Sequence, residues 1–184
     1  MTKSTFCEDQ RHSLELNNDQ RALVKWLTAG LEIEEVRALY GDSGYLLSNM
    51  IAKVTLAADK YFISTKALEQ LKRDKVDLTK RYKRAKFYGK KSPYVYEHTI
   101  PASLVRARLL SVSPLRQDQV VEILSSAGDV AMILREEDKI LSSLRLGRKM
   151  PEGWEWGDDP FARYKAANID LSNEFLLTEG PICR

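Results

Sequence analysis

Between residues 18 and 75 the apolar side chains recur at intervals of three and four, a spacing that only a helix turns into one continuous face. In NNDQRALVKWLTAG that face is Leu23, Val24, Trp26 and Leu27; Asn18 or Asp19 can cap its start and Gly30 stops it. LEIEEVRALYG follows with Ile33, Val36, Leu39 and Tyr40, and Gly41 as terminator. GDSGYLLSNMIAKVTLAADKYF opens on turn residues and continues as a longer helix on Leu47, Met50, Ile51, Val54 and Leu56. ISTKALEQLKRD reads as a further helix, with Ser64 as its cap.

The second half changes period. SPYVYEHTIP has a β-branched and aromatic centre between Pro93 and Pro101, the pattern of a short strand. ASLVRARLLS and LRQDQVVEILSSAG return to helical spacing, the first with Arg106 and Arg108 toward solvent, the second ending at Gly128. DVAMIL is a second strand, and REEDKILSSLRLG starts a helix directly after it. A short helix is expected from Pro160 to Ala167. The expected fold class is α+β and mainly helical, with a helical N-terminal half followed by a ββα-containing C-terminal half. Three stretches are expected: a flexible arm over residues 1–17, a helical region over 18–91 ending in a basic strip, and a ββα region with a Trp-rich tail over 92–184. No internal repeat is legible.

At 184 residues the chain is long enough for one domain with a sizeable core. It has no apolar run near the ~20 residues of a membrane span, and MTKSTFCEDQRHSLEL lacks the apolar stretch of a signal peptide. Cys7 and Cys183 have no metal-ligand spacing and are expected as reduced thiols in a cytoplasmic protein, a disulfide being the alternative.

Charge is distributed unevenly. The net charge is only +3, yet Lys72, Arg73, Lys75, Lys80, Arg81, Lys83, Arg84, Lys86, Lys90 and Lys91 fall in one stretch opposed only by Asp74 and Asp77. The rest of the chain is therefore net acidic. A basic strip on an acidic body, interleaved with Tyr82, Phe87 and Tyr88, is the footprint of a polyanion-binding surface; a solvated helix face is the alternative. The expected partner is nucleic acid, DNA ahead of RNA, with a second copy of the chain as a further partner and no membrane. A helix-turn-helix reading of LTAGLEIEEVRALYGDSGYLLSNMI competes with a buried helical hairpin, because its second helix offers only Ser48 and Asn49 to read bases.

Glu97 and His98 are adjacent at the end of the first strand, in a chain with two histidines. An imidazole titrates near neutrality and a carboxylate can orient it or hold a cation. The bland account is a polar pair satisfied at a core edge. Strand neighbours point to opposite faces, so the pair needs a distortion at the strand end to share one site.

The order YVYEH, VAMIL, REEDKILSSL resembles the HNH, or ββα-metal, endonucleases over residues 93–146, and KMPEGW with DPFARY is similar to segments that accompany an EH-I-P stretch in small HNH-like proteins. The resemblance implies metal-dependent hydrolysis of a nucleic-acid phosphodiester. It implies His98 as general base, Glu97 as metal ligand, Glu137 or Asp138 as second ligand, and Mg2+ or Mn2+ as cofactor. From the charge distribution, Arg73, Lys75, Lys80, Arg81, Lys83, Arg84, Lys86, Lys90 and Lys91 are expected to grip the nucleic-acid backbone. The family's usual asparagine and second histidine have no counterpart between His98 and Asn168. Glu136, Glu137 and Asp138 are also what a helix dipole favours in a first turn. The alternative function is a non-catalytic nucleic-acid-binding regulator or antitoxin using the strip over residues 72–91. In the tail, Asp158 and Asp159 can bind metal or cap the following helix, and the alternation of Trp154 and Trp156 sets one toward the core and the other toward a partner or base.

Overall fold

A computed structural model describes residues 16–113, 116–127 and 129–179. The expected flexible arm, His12, both cysteines and the end of the QDQVVEILSSAG helix at Gly128 lie outside those residues or at their limit. The described residues form an α+β fold in which helices predominate: α1 (Asn18–Glu32), α2 (Glu34–Asp42), α3 (Gly44–Thr55), β1 (Lys60–Ser64), α4 (Thr65–Arg73), β2 (Tyr94–His98), α5 (Ala102–Ser111), α6 (Gln117–Ala127), β3 (Val130–Leu134), α7 (Arg135–Ser143), α8 (Ala162–Ala166) and β4 (Leu171–Leu177). One sheet carries the order β2-β3-β1-β4, with β1 and β3 parallel and the two outer strands antiparallel to their neighbours.

The central strands are buried on both faces, and their side chains divide accordingly. Tyr61, Ile63, Val130 and Met132 join Tyr94, Leu68, Leu71 and Phe87 in one apolar cluster beneath α4. Ala131 and Ile133 face the other way, onto Leu141, Leu146, Tyr164 and Ile169. A third cluster is helical: Val24, Leu27, Leu47, Ile51, Val54, Val105, Leu109 and Leu124, closed by Ile100 just after β2.

Two elements differ from the sequence expectation. The long third helix ends at Thr55, and KYFIS is a strand inside the stretch read as wholly helical. Tyr61 and Ile63 share one face there and Phe62 takes the other, a period of two too short to stand out beside the helical spacing before it. β4, which carries no clear alternation, pairs with β1 from Lys60↔Leu177 to Ser64↔Leu171, with an irregularity in register between Phe62 and Ser64. Its placement brings the tail back against residues more than a hundred positions earlier.

The helix ends follow local chemistry. Asn17, one residue before the expected caps, accepts from the Gln20 backbone N–H at 2.9 Å, while the Gln20 side chain accepts from Asn17 N–H at 3.0 Å. Gly30 does not stop α1; it lies where an added Cβ would meet the Tyr40 hydroxyl at 3.0 Å, so its lack of a side chain lets α2 pack close. The Asp159 carboxylate accepts from Phe161 N–H at 2.9 Å in a turn just before α8, whose N-cap is Phe161 and carries no side-chain cap, so Asp159 shapes the entry to the helix rather than capping it.

The fold repeats itself where the sequence does not. β1-α4 and β3-α7 are each a strand running straight into a nine-residue helix, side by side and parallel. Each helix closes on a left-handed residue, Lys75 (φ 55°) and Arg145 (φ 61°), followed by an apolar residue whose N–H returns to the helix: Val76 to Leu71 O and Leu146 to Leu141 O.

Candidate functional site

β2 is an edge strand whose last two residues, Glu97 and His98, leave the sheet in opposite directions yet line one cleft of about 550 Å3. The cleft is walled by the first turn of α3, through Gly44, Tyr45 and Ser48, and the first turn of α5, through Ala102 and Ser103. The required distortion is therefore topological. At a sheet edge both faces open onto the same solvent gap, and the turn at Thr99–Pro101 feeds the chain into the wall opposite.

Glu97 is held from below by Arg163. That guanidinium is fully buried, and its Nη2 donates to Glu97 Oε2 at 2.8 Å and to the His98 carbonyl. Its Nε donates to Thr99 O at 3.1 Å and its Nη1 to Leu146 O at 3.0 Å. One side chain of α8 thus fixes the end of β2, the turn after it and the segment after α7. Burial pushes the Glu97 carboxyl above its ordinary range; Arg163 opposes the rise and Asp138 on α7 adds to it.

His98 is held from the other side. Its Nε2 lies 2.8 Å from Thr55 Oγ1, at the end of α3. The Thr55 hydroxyl also donates to Ala52 O at 3.2 Å. With the hydroxyl proton engaged there, Nε2 carries the ring proton and donates to Thr55, which leaves Nδ1 as the basic nitrogen. Burial, reinforced by the Arg163 charge, pulls the imidazole down to about 4, so it is neutral at pH 7.

The three acids at the start of α7 separate. Glu136 is exposed. Glu137 is buried and turned back: its Oε2 accepts from Leu134 N–H at 2.8 Å and from Ser64 Oγ at 2.5 Å. Asp138 is half-buried on the Glu97 side of the sheet. The Asp138 carboxylate thus adds to the cost of ionising Glu97, a repulsion of the kind that a divalent cation relieves. No group of three or more His, Cys, Asp or Glu side chains with metal-site geometry is found among the described residues. Magnesium is commonly held by only one or two carboxylates, with water and substrate phosphate completing the shell; of these two, Glu97 lines the cleft and Asp138 approaches from α7 without lining it.

The basic strip lies elsewhere. It runs from the end of α4 through a 3-10 turn at Arg84–Phe87 to the start of β2, ~13 Å of strand away from His98. Tyr82 and Phe87 pack into the core beneath α4, and the Lys86 ammonium sits 3.9 Å from the Tyr82 ring centroid. Lys80 pairs with Asp77 at 3.6 Å, Arg73 donates to Gln70, and Arg81 donates to Thr178 O at 2.8 Å. Lys75 occupies the left-handed position after α4, Lys83 precedes the 3-10 turn, Arg84 stacks toward Tyr88, and Lys90 and Lys91 lie in the turn before β2. None of these residues lines the cleft.

The cations that do line it are Arg106 and Arg148. Thr55, Arg163, Arg106 and Arg148 escaped the sequence reading as site residues. The available signal was weak: Arg106 lies in the second turn of α5, a helix of little amphipathic contrast, and Arg163 is a buried arginine that sequence places at the surface by default. The α2–α3 hairpin buries Leu47, Met50, Ile51 and Val54, and turns Tyr45 and Ser48 to the cleft. Trp154 and Trp156 both pack against the helical cluster, edge to face at 6.0 Å. No protein-family model, curated protein or solved structure matches the chain.

Proposed function

We propose that the chain hydrolyses a nucleic-acid phosphodiester at the Glu97–His98 cleft. The observation that carries this reading is an imidazole held 2.8 Å from the Thr55 hydroxyl beside a carboxylate braced by Arg163, in a cleft that also holds two arginines. His98 Nδ1 takes a proton from water, the water oxygen bonds to phosphorus, and the bond to the leaving sugar oxygen breaks, that oxygen taking a proton from solvent. Thr55 keeps the ring in the required tautomer. Glu97 and Asp138 are the residues that would hold Mg2+ or Mn2+, which when bound offsets charge developing on the phosphate.

The test is cleavage of labelled single- and double-stranded DNA and RNA, with magnesium or manganese. The wild type should cut at least one of the four. His98→Ala should lose ~10²–10⁴ in rate with nucleic-acid affinity nearly intact. A metal requirement should appear also as thermal stabilisation by the free ion, reduced in Glu97→Gln; a melt indifferent to both ions would remove the cofactor and leave the base. A wild type that cuts none of the four would overturn hydrolysis. The second reading, a non-catalytic nucleic-acid-binding protein, is favoured by one observation: the strip's exposed cations interleave with aromatic rings away from the cleft.

A further inference from the structure

Arg106 and Arg148 both line the cleft, one from α5 and one from the segment after α7, and Ser103 of α5 donates to the Arg148 carbonyl at 3.4 Å. Neither makes an ion pair or side-chain hydrogen bond among the described residues. Arg106 is positioned by close packing. A Cβ on Gly44 would fall 1.7 Å from its Nη1, so the guanidinium rests against the bare backbone of Gly44 at the start of α3. Beside it Tyr45 projects from the same turn with 78% of its surface exposed, the most exposed large hydrophobic side chain of the described residues. An aromatic ring largely open to solvent, lining a cleft with two guanidinium groups that have no ion pair among the described residues, matches the two chemistries of a nucleotide: a flat base and an anionic phosphate.

Resting on the proposed hydrolysis, we infer that the cleft selects an unpaired nucleotide: Arg106 and Arg148 take the phosphate at the scissile position, and Tyr45 stacks the adjoining base. The base must leave its partner to do so, because a base within a duplex already has both faces stacked. His98 is recessed between α3 and α5, so a strand that can bend into the gap reaches it and a stacked duplex does not. The substrate class is therefore single-stranded nucleic acid, or the unpaired part of a duplex. The basic strip, lying toward the other end of β2, is separate from this subsite and grips the flanking backbone.

Anisotropy titrations of the full chain with short fluorescein-labelled DNA and RNA, single strands and their blunt duplexes, without divalent metal, test the inference without cleavage. Single strand should bind more tightly than duplex. Tyr45→Ala should weaken single-strand binding about tenfold with duplex binding unchanged, and Tyr45→Trp should restore it. Arg106→Ala and Arg148→Ala should each flatten the salt dependence for single strand. Circular dichroism of each variant checks that the fold is kept. Equal or stronger binding of duplex, or a Tyr45→Ala variant matching wild type on single strand, overturns the subsite. Cleavage at equal rates on both forms would also overturn it while leaving the hydrolytic reading standing. Single-strand binding lost in Tyr45→Ala without cleavage by the wild type would uphold the subsite and overturn hydrolysis instead.

Discussion

The Ser64 hydroxyl donates to Glu137 Oε2 at 2.5 Å across 73 residues of sequence, and both groups are buried. The two residues cap the two helices that leave the parallel strands. Ser64 Oγ accepts from Ala67 N–H at 3.1 Å at the start of α4, and Glu137 accepts from Leu134 N–H at the start of α7. Ser64→Ala removes a cap and one donor to a buried carboxylate, and should cost about 2–3 kcal/mol. Glu137→Gln should cost less, since an amide both accepts from Leu134 and donates to Ser64. A double-mutant cycle by urea denaturation should give a coupling of about 1 kcal/mol or more; additive losses would show that the two caps act independently.

Arg163 should be the most sensitive polar residue of the fold. Arg163→Ala leaves Glu97 and three carbonyls without their donor, and should destabilise by about 3–5 kcal/mol. Arg163→Lys should rescue little, because one ammonium cannot span Thr99 O, Leu146 O and Glu97 Oε2. Glu97→Gln keeps an acceptor for the guanidinium and should cost about 1–2 kcal/mol. A near-wild-type melting temperature for Arg163→Ala would show that the β2 end is fixed by packing alone.

The activity of the proposed centre should be nearly flat through neutral pH. With His98 held at about 4 rather than its ordinary 6.5, the acidic limb of kcat/KM should fall near pH 4. A limb near 6.5 would place the imidazole in open solvent.

Stability should depend on pH through two opposed groups. His98 has its folded value below its unfolded one, so its contribution is full above about pH 6.5 and fades as pH falls toward 4. Asp129 runs the other way. Burial pushes it up to about 7 against the pull of Lys60, so its contribution is full below its ordinary value of 3.8 and is lost as pH rises through 7. Between about pH 4 and 6.5 the two slopes oppose, and wild-type stability should change little. Asp129→Asn should uncover the His98 slope, giving melting temperatures that rise from pH 4 to 6.5, and should be more stable than wild type at pH 8. A pH profile identical to wild type would remove Asp129 from the account.

Binding by the basic strip should be strongly salt-dependent. Lys83, Arg84 and Lys86 lie together at the 3-10 turn before β2. Replacing all three by alanine should weaken nucleic-acid binding and lower the magnitude of the log K against log salt slope by about 2–3. An unchanged slope would place the polyanion elsewhere on the surface.

The sequence by itself determined the local grammar. Periods of three and four gave most helices their positions, the Tyr94–His98 and Val130–Leu134 runs gave two strands, and Ser64 marked a cap that holds. These are decided within a few residues, where spacing and hydrogen-bonding groups suffice. β1 was hidden because five residues of alternation followed a long helical pattern, and β4 because its half-exposed side chains carry no period. Only the tertiary structure decided what those elements bring together. It joined Glu97 to Arg163 across 66 residues, His98 to Thr55 across 43, and set Arg106 on Gly44. It also sent Glu137 inward to Ser64 and left Asp138 on the side of Glu97. The physical reason is that local sequence fixes the direction of a side chain relative to its own element, whereas the partner it meets depends on how the elements stack.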